Sequence, residues 1–338
     1  MLLAPIGWLY GKIADARNAL YDRGTLRSYD LGAKTISIGN ITAGGTGKTP
    51  LVAYVAEILC GAGEKVCILT RGYGRESSGR VLVSDGEKIL VEARTGGDEP
   101  TELARKLIGK AIVVADADRV AAAAWAKENF AVTAFVLDDA FQHRRARRDL
   151  EIVCVDATSP LSSGRMLPAG NLREPIKNLS RAHAIVVTRA DLAVSAEDFV
   201  QSVRKLNPTA YVFLAEARFR ALRTLDAFLS GTPAGAEQRL TPQTLSFCGL
   251  GNPKPFLRML ANEGTAITRQ FRDHHRYTQA DIQGIENAAR EYQCDTLVTT
   301  AKDAVKLEGL DFEMPCLVAE MEVVLNDPDG FRELVLSA

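Results

Sequence analysis

Residues 36–50, ISIGNITAGGTGKTP, decide the fold class of this chain. An apolar run rich in isoleucine ends in a glycine-rich turn, which leads through Lys48 and Thr49 into a predicted helix from Leu51 onward. In a phosphate-binding P-loop, backbone N–H groups and the positive end of a helix hold phosphate oxygens. A lysine reaches the terminal phosphates and a hydroxyl binds Mg²⁺. The order strand, turn and helix therefore predicts a P-loop.

The turn departs from the strict P-loop pattern at one position. A glycine is expected five positions before Gly47, where this chain has Thr42. Gly44 and Gly45 still let the backbone approach an anion closely. The competing interpretation is a strand–helix turn with an incidental Gly-Lys-Thr, and the flanking strand and helix favour the P-loop. The predicted nucleotide-binding residues are Thr42, Ala43, Gly44, Gly45, Thr46, Gly47, Lys48 and Thr49.

Composition is that of a soluble globular protein long enough for two domains. The chain has 338 residues, of which 46% are hydrophobic and 25% are charged. A net charge of −1 argues against a general nucleic-acid binder, which needs a basic surface. The six cysteines show no CxxC spacing, so we interpret them as buried thiols. No apolar stretch approaches the ~20 residues that span a bilayer.

Short β-branched runs alternate with helical patterns through the first two thirds of the chain. Runs buried on both faces and separated by helices predict an α/β fold with a parallel, P-loop NTPase-type sheet flanked by helices. We expect a P-loop domain over 1–215 and a second, smaller α/β domain over 216–338. Ligands of such sheets bind at the carboxyl ends of the strands. The runs are 66–70, 112–115, 135–137, 152–155 and 185–188.

Aspartates follow three of these runs and are candidate Mg²⁺ ligands. They are Asp116, Asp156 and the pair Asp138-Asp139. The pair is the best candidate, because two adjacent carboxylates suit a hydrated dication and its nucleotide. The alternative for each is that the aspartate caps the next helix.

Several further residues fit either a site or an ordinary turn. Gln142, His143 and the arginines of 144–148 could neutralise phosphate charge, or they could form a solvated turn. The turn 188–191, TRAD, resembles a guanine-reading turn with arginine in place of lysine. A proton acceptor for an alcohol is expected to be His or Asp, for which Asp98 and His274 are candidates. Arg71 and Tyr73, after the run 66–70, suit a substrate or a tight turn.

The N-terminal segment carries an apolar stripe at helical spacing. Trp8 and Tyr10 lie beside the stripe, and Arg17 flanks it. An amphipathic helix over about 1–23 that lies in a membrane interface fits this pattern, and a helix packed on the protein's own core is the alternative. The stripe consists of Leu2, Ile6, Leu9, Ile13, Ala16 and Leu20.

Taken together, seven stretches in order resemble the tetraacyldisaccharide 4′-kinase family, the lipid A 4′-kinases of Gram-negative bacteria. They cover nearly the whole chain. The stretches are GNITAGGTGKTP (39–50), TRGYGR (70–75), GDEP (97–100), DDAFQHRR (138–145), PAGNLREP (168–175), FRDHHRY (271–277) and TTAKDAVK (299–306).

The resemblance implies transfer of the γ-phosphate of ATP to the 4′-hydroxyl of tetraacyldisaccharide 1-phosphate, with ATP and Mg²⁺ as cofactors. It also implies a base formed by Asp98 with His274, which we expect the two domains to assemble by closing on each other. The implied catalytic residues are Lys48, Asp98, Asp138, Asp139 and His274. The implied metal ligands are Thr49, Asp139 and Glu174. The implied substrate-binding residues are Arg71, Tyr73, Gln142, His143 and Arg173.

The resemblance further implies a peripheral or monotopic protein at the cytoplasmic face of the bacterial inner membrane. The expected partners are the lipid disaccharide and the membrane surface, with no nucleic acid and no obligate protein partner. The alternative function is a P-loop ATPase or GTPase switch or maturation factor that hydrolyses nucleotide with a protein partner. A switch does not need a base for a sugar hydroxyl.

Overall fold

The computed structural model describes residues 3–159, 161, 164–193, 195–232, 238–262 and 267–338. Leu2, the first residue of the predicted N-terminal stripe, lies outside the described residues. The helices are α1 Ala4–Asp22, α2 Lys48–Gly61, α3 Ala93–Gly96, α4 Asp98–Lys106, α5 Arg119–Phe130, α6 Ala196–Leu206, α7 Leu225–Ser230, α8 Lys254–Asn262, α9 Gln279–Glu291, α10 Ala301–Ala304 and α11 Pro328–Ser337. The strands are β1 Lys34–Asn40, β2 Val66–Thr70, β3 Val81–Ser84, β4 Ile112–Ala115, β5 Ala134–Asp138, β6 Leu150–Asp156, β7 Ala184–Thr188, β8 Tyr211–Thr224, β9 Thr244–Cys248, β10 Ile267–Gln270, β11 Thr296–Thr300 and β12 Cys316–Leu325.

The chain divides into two compact units, and both are discontinuous in sequence. The first unit comprises Met1–Arg71, Lys110–Ala217 and Val323–Ala338. The second comprises Gly72–Gly109 and Arg218–Glu322. The sequence pattern predicts one boundary near residue 215. In the structure, residues 72–109 instead associate with the second unit, and residues 323–338 return to the first.

Packing contacts explain both assignments. In the first unit, the ring of Phe331 on α11 stacks on Tyr54 and meets Phe213 edge to face. In the second unit, Ala93 belongs to the apolar cluster around Phe247. Which surface a segment covers depends on long-range packing, and both units have the same α/β periodicity. The sequence pattern alone therefore does not assign these segments.

The first unit contains the parallel sheet that the sequence predicts, and this prediction is confirmed. Its strands lie in the order β8, β7, β6, β1, β5, β2, β4, and each neighbouring pair is parallel. Strands β5, β6 and β7 are buried along their whole length, as expected for strands covered on both faces. Ile38 of β1 is aligned with Asp138 on one side and Ile152 on the other. The carboxyl ends of β5, β1 and β6 thus lie side by side and bring three loops to one edge.

The second unit is a smaller α/β unit. Its strands β10, β9, β11 and β12 form parallel pairs in that order. The fully buried side chains of Phe247, Ile282 and Leu297 join these strands to α9. Helix α9 begins with a capping box in which Thr278 and Asp281 satisfy each other's backbone N–H groups. The loop between β10 and this cap carries His274, and α4 begins at Asp98.

Helix α1 leaves its large apolar side chains exposed and buries small and polar residues. Its buried residues are Gly7, Gly11 and Asn18, while Trp8 and Ile13 are 66% and 60% exposed. The apolar stripe thus faces away from the first unit, contrary to the alternative of a helix packed on its own core. Among the described residues, no helix has both the length and the hydropathy needed to cross a bilayer.

Candidate active site

The loop between β1 and α2 adopts backbone conformations that glycine favours. Gly44 and Gly47 have φ angles of 109° and 75°, in the left-handed region that strains other residues. Thr42, which replaces the expected glycine, is buried and forms an antiparallel bridge with Leu172. The backbone at Thr42 thus continues a β-type pairing and does not need a glycine. The turn itself begins only at the following residues.

Two residues from the β7 turn brace this loop. The Thr188 hydroxyl donates to the carbonyl oxygen of Thr46 at 2.8 Å. Arg189 donates to the carbonyl oxygen of Gly45 at 2.9 Å and forms an ion pair with Asp156. In this structure the turn 188–191 therefore supports the phosphate loop through Thr188 and Arg189.

Lys48, Asp139 and Arg173 form one cluster of charges. Lys48 Nζ lies 3.2 Å from Asp139 Oδ1, and Arg173 Nη1 donates to both oxygens of Asp139 at 2.9 and 2.8 Å. Burial alone would raise the pKa of Asp139, but Lys48 and Arg173 hold it at about 2. Asp139 is therefore ionised at neutral pH and fixes Lys48 at the first residue of α2.

Asp138 and Arg119 lie beside this cluster. Asp138 is 3% exposed and accepts a hydrogen bond from the hydroxyl of Thr70 at 3.1 Å. Arg119 is also buried, and burial lowers its pKa while the carboxylates of Asp138 and Asp139 oppose that shift. Arg119 was not among the residues predicted from the sequence. Its position directly after Asp116-Ala117-Asp118, at the carboxyl end of β4, was the available signal.

Gln142 and His143 follow the aspartate pair and occupy different environments. Gln142 Nε2 donates to the carbonyl oxygen of Asn40 at 2.9 Å, so its amide supports the end of β1. Burial, followed by the charges of Arg119 and Arg148, lowers the pKa of His143 to about 4. His143 is consequently neutral at pH 7. Its Nε2 is buried, and no hydrogen-bond partner reaches it from the residues that the structure describes.

Glu174 is 2% exposed and is surrounded by donors. Its Oε2 accepts from Asn18 at 2.7 Å and from Asn178 at 3.0 Å. Arg181 contacts both carboxylate oxygens, at 2.8 and 3.2 Å. The metal role that the resemblance implies for Glu174 stays a prediction, and these contacts occupy the carboxylate with protein donors.

The second unit joins Asp98 and His274 directly. His274 Nδ1 lies 3.0 Å from Asp98 Oδ2. The expectation that this pair forms by domain closure is corrected, because both residues belong to the same compact unit. Residues 72–109 had been assigned to the other domain. Tyr73 is 70% exposed, and its ring centroid lies 5.8 Å from that of His274.

Lys302 contacts the other side of the His274 ring. Its Nζ lies 3.5 Å from His274 Nε2 and 3.1 Å from Asp273 Oδ1. Because an ammonium can only donate, this contact suits the tautomer in which Nε2 accepts and the proton on Nδ1 faces Asp98. Burial raises the pKa of Asp273, but the neighbouring Lys302 lowers it, and the pKa lies below its usual value. Lys302 lies in the stretch TTAKDAVK (299–306), but no role was predicted for it from the sequence.

A cavity of about 360 Å³ in the second unit opens at this pair. Asp98 and His274 line it together with the cations Arg94, Arg276 and Lys306. A carboxylate held by a histidine at the wall of a polar cavity can accept a proton from a bound alcohol. Arg71, by contrast, is the last residue of the first unit before the chain crosses, and it is exposed.

Comparison with known proteins agrees with the resemblance. The profile of the family described as Tetraacyldisaccharide-1-P 4′-kinase matches residues 1–338. The chain belongs to this family. It is 38% identical over 344 residues to the tetraacyldisaccharide 4′-kinase of Chlorobaculum tepidum, covering 99% of this chain and 95% of that protein. It is 39% identical over 307 residues to the enzyme of the same name from Chlorobaculum parvum, with coverage of 89% and 82%.

A solved structure agrees over the full length. The crystal structure described as the "apo" form of LpxK from Aquifex aeolicus in complex with ATP is 32% identical. It matches with a TM-score of 0.79 and covers 100% of this chain and 99% of that one. Membership of a kinase family over the whole chain favours the kinase over the alternative of a nucleotide-hydrolysing switch.

Proposed function

We propose that this protein transfers the γ-phosphate of ATP to the 4′-hydroxyl of tetraacyldisaccharide 1-phosphate. The product is the bis-phosphorylated lipid A precursor. The observation that carries the proposal is that this member of the kinase family contains two groups of residues suited to phosphoryl transfer. These groups are a phosphate loop with a fixed lysine and a carboxylate–histidine pair at a polar cavity.

ATP binds through the loop of residues 42–49. Its backbone N–H groups and the N-terminus of α2 face the phosphates, and Lys48 neutralises charge on the β- and γ-phosphates. Asp139 holds the lysine until nucleotide binds, and Arg173 keeps the carboxylate in place. Arg119 adds a further positive charge near the acids. Because a transferring phosphoryl group carries negative charge, these cations stabilise its transition state.

Mg²⁺ accompanies the nucleotide in this proposal. When bound, it would neutralise negative charge on the phosphates. The donors available on this chain suit it, since Mg²⁺ prefers oxygen ligands and takes one or two carboxylates together with phosphates and water. Thr49 and Asp139 would hold it, with Asp138 adjacent.

Asp98 acts as the base. It accepts the proton of the 4′-hydroxyl, and the oxygen forms a bond to the γ-phosphorus while the bond to the bridging oxygen breaks and ADP leaves. His274 donates from Nδ1 to the other side of the carboxylate and orients it. The cavity beside the pair receives the sugar, and the exposed ring of Tyr73 supplies a face for it. His143 and Gln142 contribute to the phosphate side, with Arg71 as a substrate contact.

Helix α1 brings the enzyme to its lipid substrate. Its exposed apolar side chains, including Trp8 and Ile13, suit insertion at the boundary between headgroups and acyl chains. Lys12 and Arg17 on the same helix suit anionic lipids. We infer a peripheral or monotopic enzyme at the cytoplasmic face of the inner membrane, where ATP and the lipid disaccharide are both available.

The test is incubation with labelled ATP, Mg²⁺ and the disaccharide 1-phosphate lipid, followed by separation of the lipids. We expect label on the lipid with the wild-type protein and none with Lys48→Ala, whose circular dichroism should be unchanged. Release of free phosphate without labelled lipid would instead support the switch, and full transfer by the Lys48 variant would remove the loop from the mechanism.

A further inference from the structure

The segment that carries Arg173 and Glu174 runs along the start of the phosphate loop. Ala43 N donates to the carbonyl oxygen of Asn171 at 2.6 Å, and Arg173 N donates to that of Ile41 at 2.8 Å. Arg173 contacts Asp139, whereas the side chain of Glu174, the next residue, contacts Asn18 of α1.

Helix α1 is seated on the first unit by polar and small residues. Asn18 is 6% exposed although it lies on a helix whose apolar residues face outward. Its side chain donates to Glu174, and its carbonyl oxygen accepts from Arg144 at 2.9 Å. Gly7 also makes a close contact, since a Cβ there would lie 2.9 Å from the carbonyl oxygen of Met166.

The two sets of contacts meet at Glu174. Its carboxylate connects Asn18 of α1 to Arg181 and Asn178 of the 3₁₀ helix Ile176–Arg181, and its neighbour Arg173 holds Asp139. A buried carboxylate with three donors is expensive to disturb, because loss of a donor leaves charge that water cannot reach. Glu174 therefore connects α1 to the segment that carries Arg173, in addition to the ion pair of Lys177 with Asp15 of α1.

We propose that Glu174 is a positioning residue that ties the membrane-facing helix to the phosphate site. When α1 is seated, Asn18 holds Glu174, which fixes the backbone at 171–174 and thereby keeps Arg173 on Asp139. This inference rests on the proposed function for its effect on catalysis. It assigns Glu174 a different role from that of a Mg²⁺ ligand, and the two roles give different results when Mg²⁺ is varied.

The chain offers a matched pair of variants. Asn18→Ala and Asn178→Ala each remove one amide that donates to the same oxygen of Glu174, but only Asn18 belongs to α1. In hydrogen exchange on the protein without nucleotide, we expect Asn18→Ala to speed exchange at the N–H groups of Ala43 and Arg173 by about tenfold or more. Asn178→Ala should change it by less than about threefold. Gly7→Leu, which displaces α1 by collision with Met166, should reproduce the Asn18 result.

Kinetics then separate the two roles of Glu174. We expect Asn18→Ala to lower kcat about tenfold with KM for ATP changed less than about threefold. Glu174→Gln should lower kcat while the Mg²⁺ concentration for half-maximal activity moves by less than about twofold. Unchanged exchange in Asn18→Ala, equal effects of the two asparagine variants, or a tenfold shift in the Mg²⁺ requirement of Glu174→Gln would each overturn the proposal. The exchange measurement stands even if the wild-type protein makes no labelled lipid, which would count against the proposed function alone.

Discussion

Asp139 shows how single residues are arranged at the phosphate site. Its φ of 49° is unfavourable for a residue with a side chain, at a cost on the order of 1 kcal/mol. Its ion pairs with Lys48 and Arg173 compensate for that cost. The unusual backbone directs the carboxylate toward the start of α2, while Asp138, one residue earlier, turns to Thr70. Adjacent aspartates thus serve different contacts.

The first prediction concerns Asp98. Asp98→Asn keeps the size of the side chain but removes the carboxylate that we propose as the proton acceptor, so kcat should fall at least ~100-fold. KM for the lipid should change by less than about threefold. Steady-state kinetics with detergent-dispersed lipid measure both, and Glu99→Gln, in the same turn of α4, is the control. A raised KM with unchanged kcat would mean that Asp98 positions the substrate.

The second prediction concerns pH and His143. Its pKa is lowered from 6.5 to about 4 in the folded protein. Between these values the unfolded chain binds a proton that the folded protein does not, so acidification favours unfolding. The stabilisation associated with a neutral His143 is fully present above about pH 6.5 and is lost as the pH falls toward 4. It amounts to about 1 to 2 kcal/mol after allowance for solvent screening.

Urea unfolding of the wild type and of His143→Gln tests this prediction. The glutamine cannot be protonated in this range, so the free energy of unfolding should fall more steeply with acidification in the wild type. Parallel pH profiles for the two proteins would show that His143 is not held neutral by its surroundings.

At the scale of elements, α1 differs from an ordinary surface helix. Gly7 and Gly11 allow close approach to the chain near Met166, and Asn18 makes a buried polar contact. The larger apolar side chains are left outside. Exposed apolar side chains at helical spacing mark an interaction surface. Because the proposed substrate is a lipid, we propose that a membrane covers this surface.

The third prediction follows from that surface. Trp8→Gln combined with Ile13→Gln should weaken binding to anionic phospholipid vesicles at least ~10-fold, because burying such side chains is worth roughly 1.5–3 kcal/mol each. Thermal stability should change by less than about 0.5 kcal/mol, since both side chains are exposed. Sedimentation with vesicles measures the binding.

Leu90→Gln is the matched control, since Leu90 is 46% exposed but lies outside α1. Activity on lipid in vesicles should fall more than activity on detergent-dispersed lipid in the α1 variant. Equal loss in both assays would indicate a folding defect, and undiminished vesicle binding would contradict a membrane role for the helix.

At the scale of the whole molecule, the chain forms two units from five segments. Lys48, Asp139 and Arg173 belong to the first unit, and Asp98, His274 and Lys302 belong to the second. Each group is assembled within its own unit by contacts between segments far apart in sequence. We therefore expect mutations to separate the proposed phosphate-binding role of the first group from the proposed proton-accepting role of the second.

The fourth prediction uses this separation. A ligand at about 100 times its Kd stabilises a protein by about 2.7 kcal/mol, so ATP with Mg²⁺ should raise the melting temperature by several degrees. Lys48→Ala should lose most of this shift. Asp98→Asn should keep it, because the base is not needed for nucleotide binding. Scanning calorimetry with and without nucleotide measures the shift. Loss of the shift in the Asp98 variant would show that Asp98 is needed for nucleotide binding.

Local sequence patterns were sufficient to predict the glycine-rich turn before α2, the parallel sheet, and the position of Asp138-Asp139 at the end of a strand. Glycine conformations, strand burial and residues at strand ends are properties of short segments, and short segments are what periodicity describes. The apolar stripe on α1 could also be predicted from the sequence, but the side to which it faces could not. A helical pattern shows that apolar residues share a face but does not show whether that face meets protein or lipid.

The sequence by itself determined the parallel sheet, the glycine-rich turn that leads into Lys48 and α2, and the full-length family resemblance. Only the tertiary structure decided that Asp98 and His274 share one unit and that Glu174 contacts α1. It also placed Arg119 beside the aspartate pair and Lys302 beside His274. Each of these depends on contacts between residues tens to hundreds of positions apart. Such contacts arise from the packing of whole elements, which local sequence does not encode in a readable pattern.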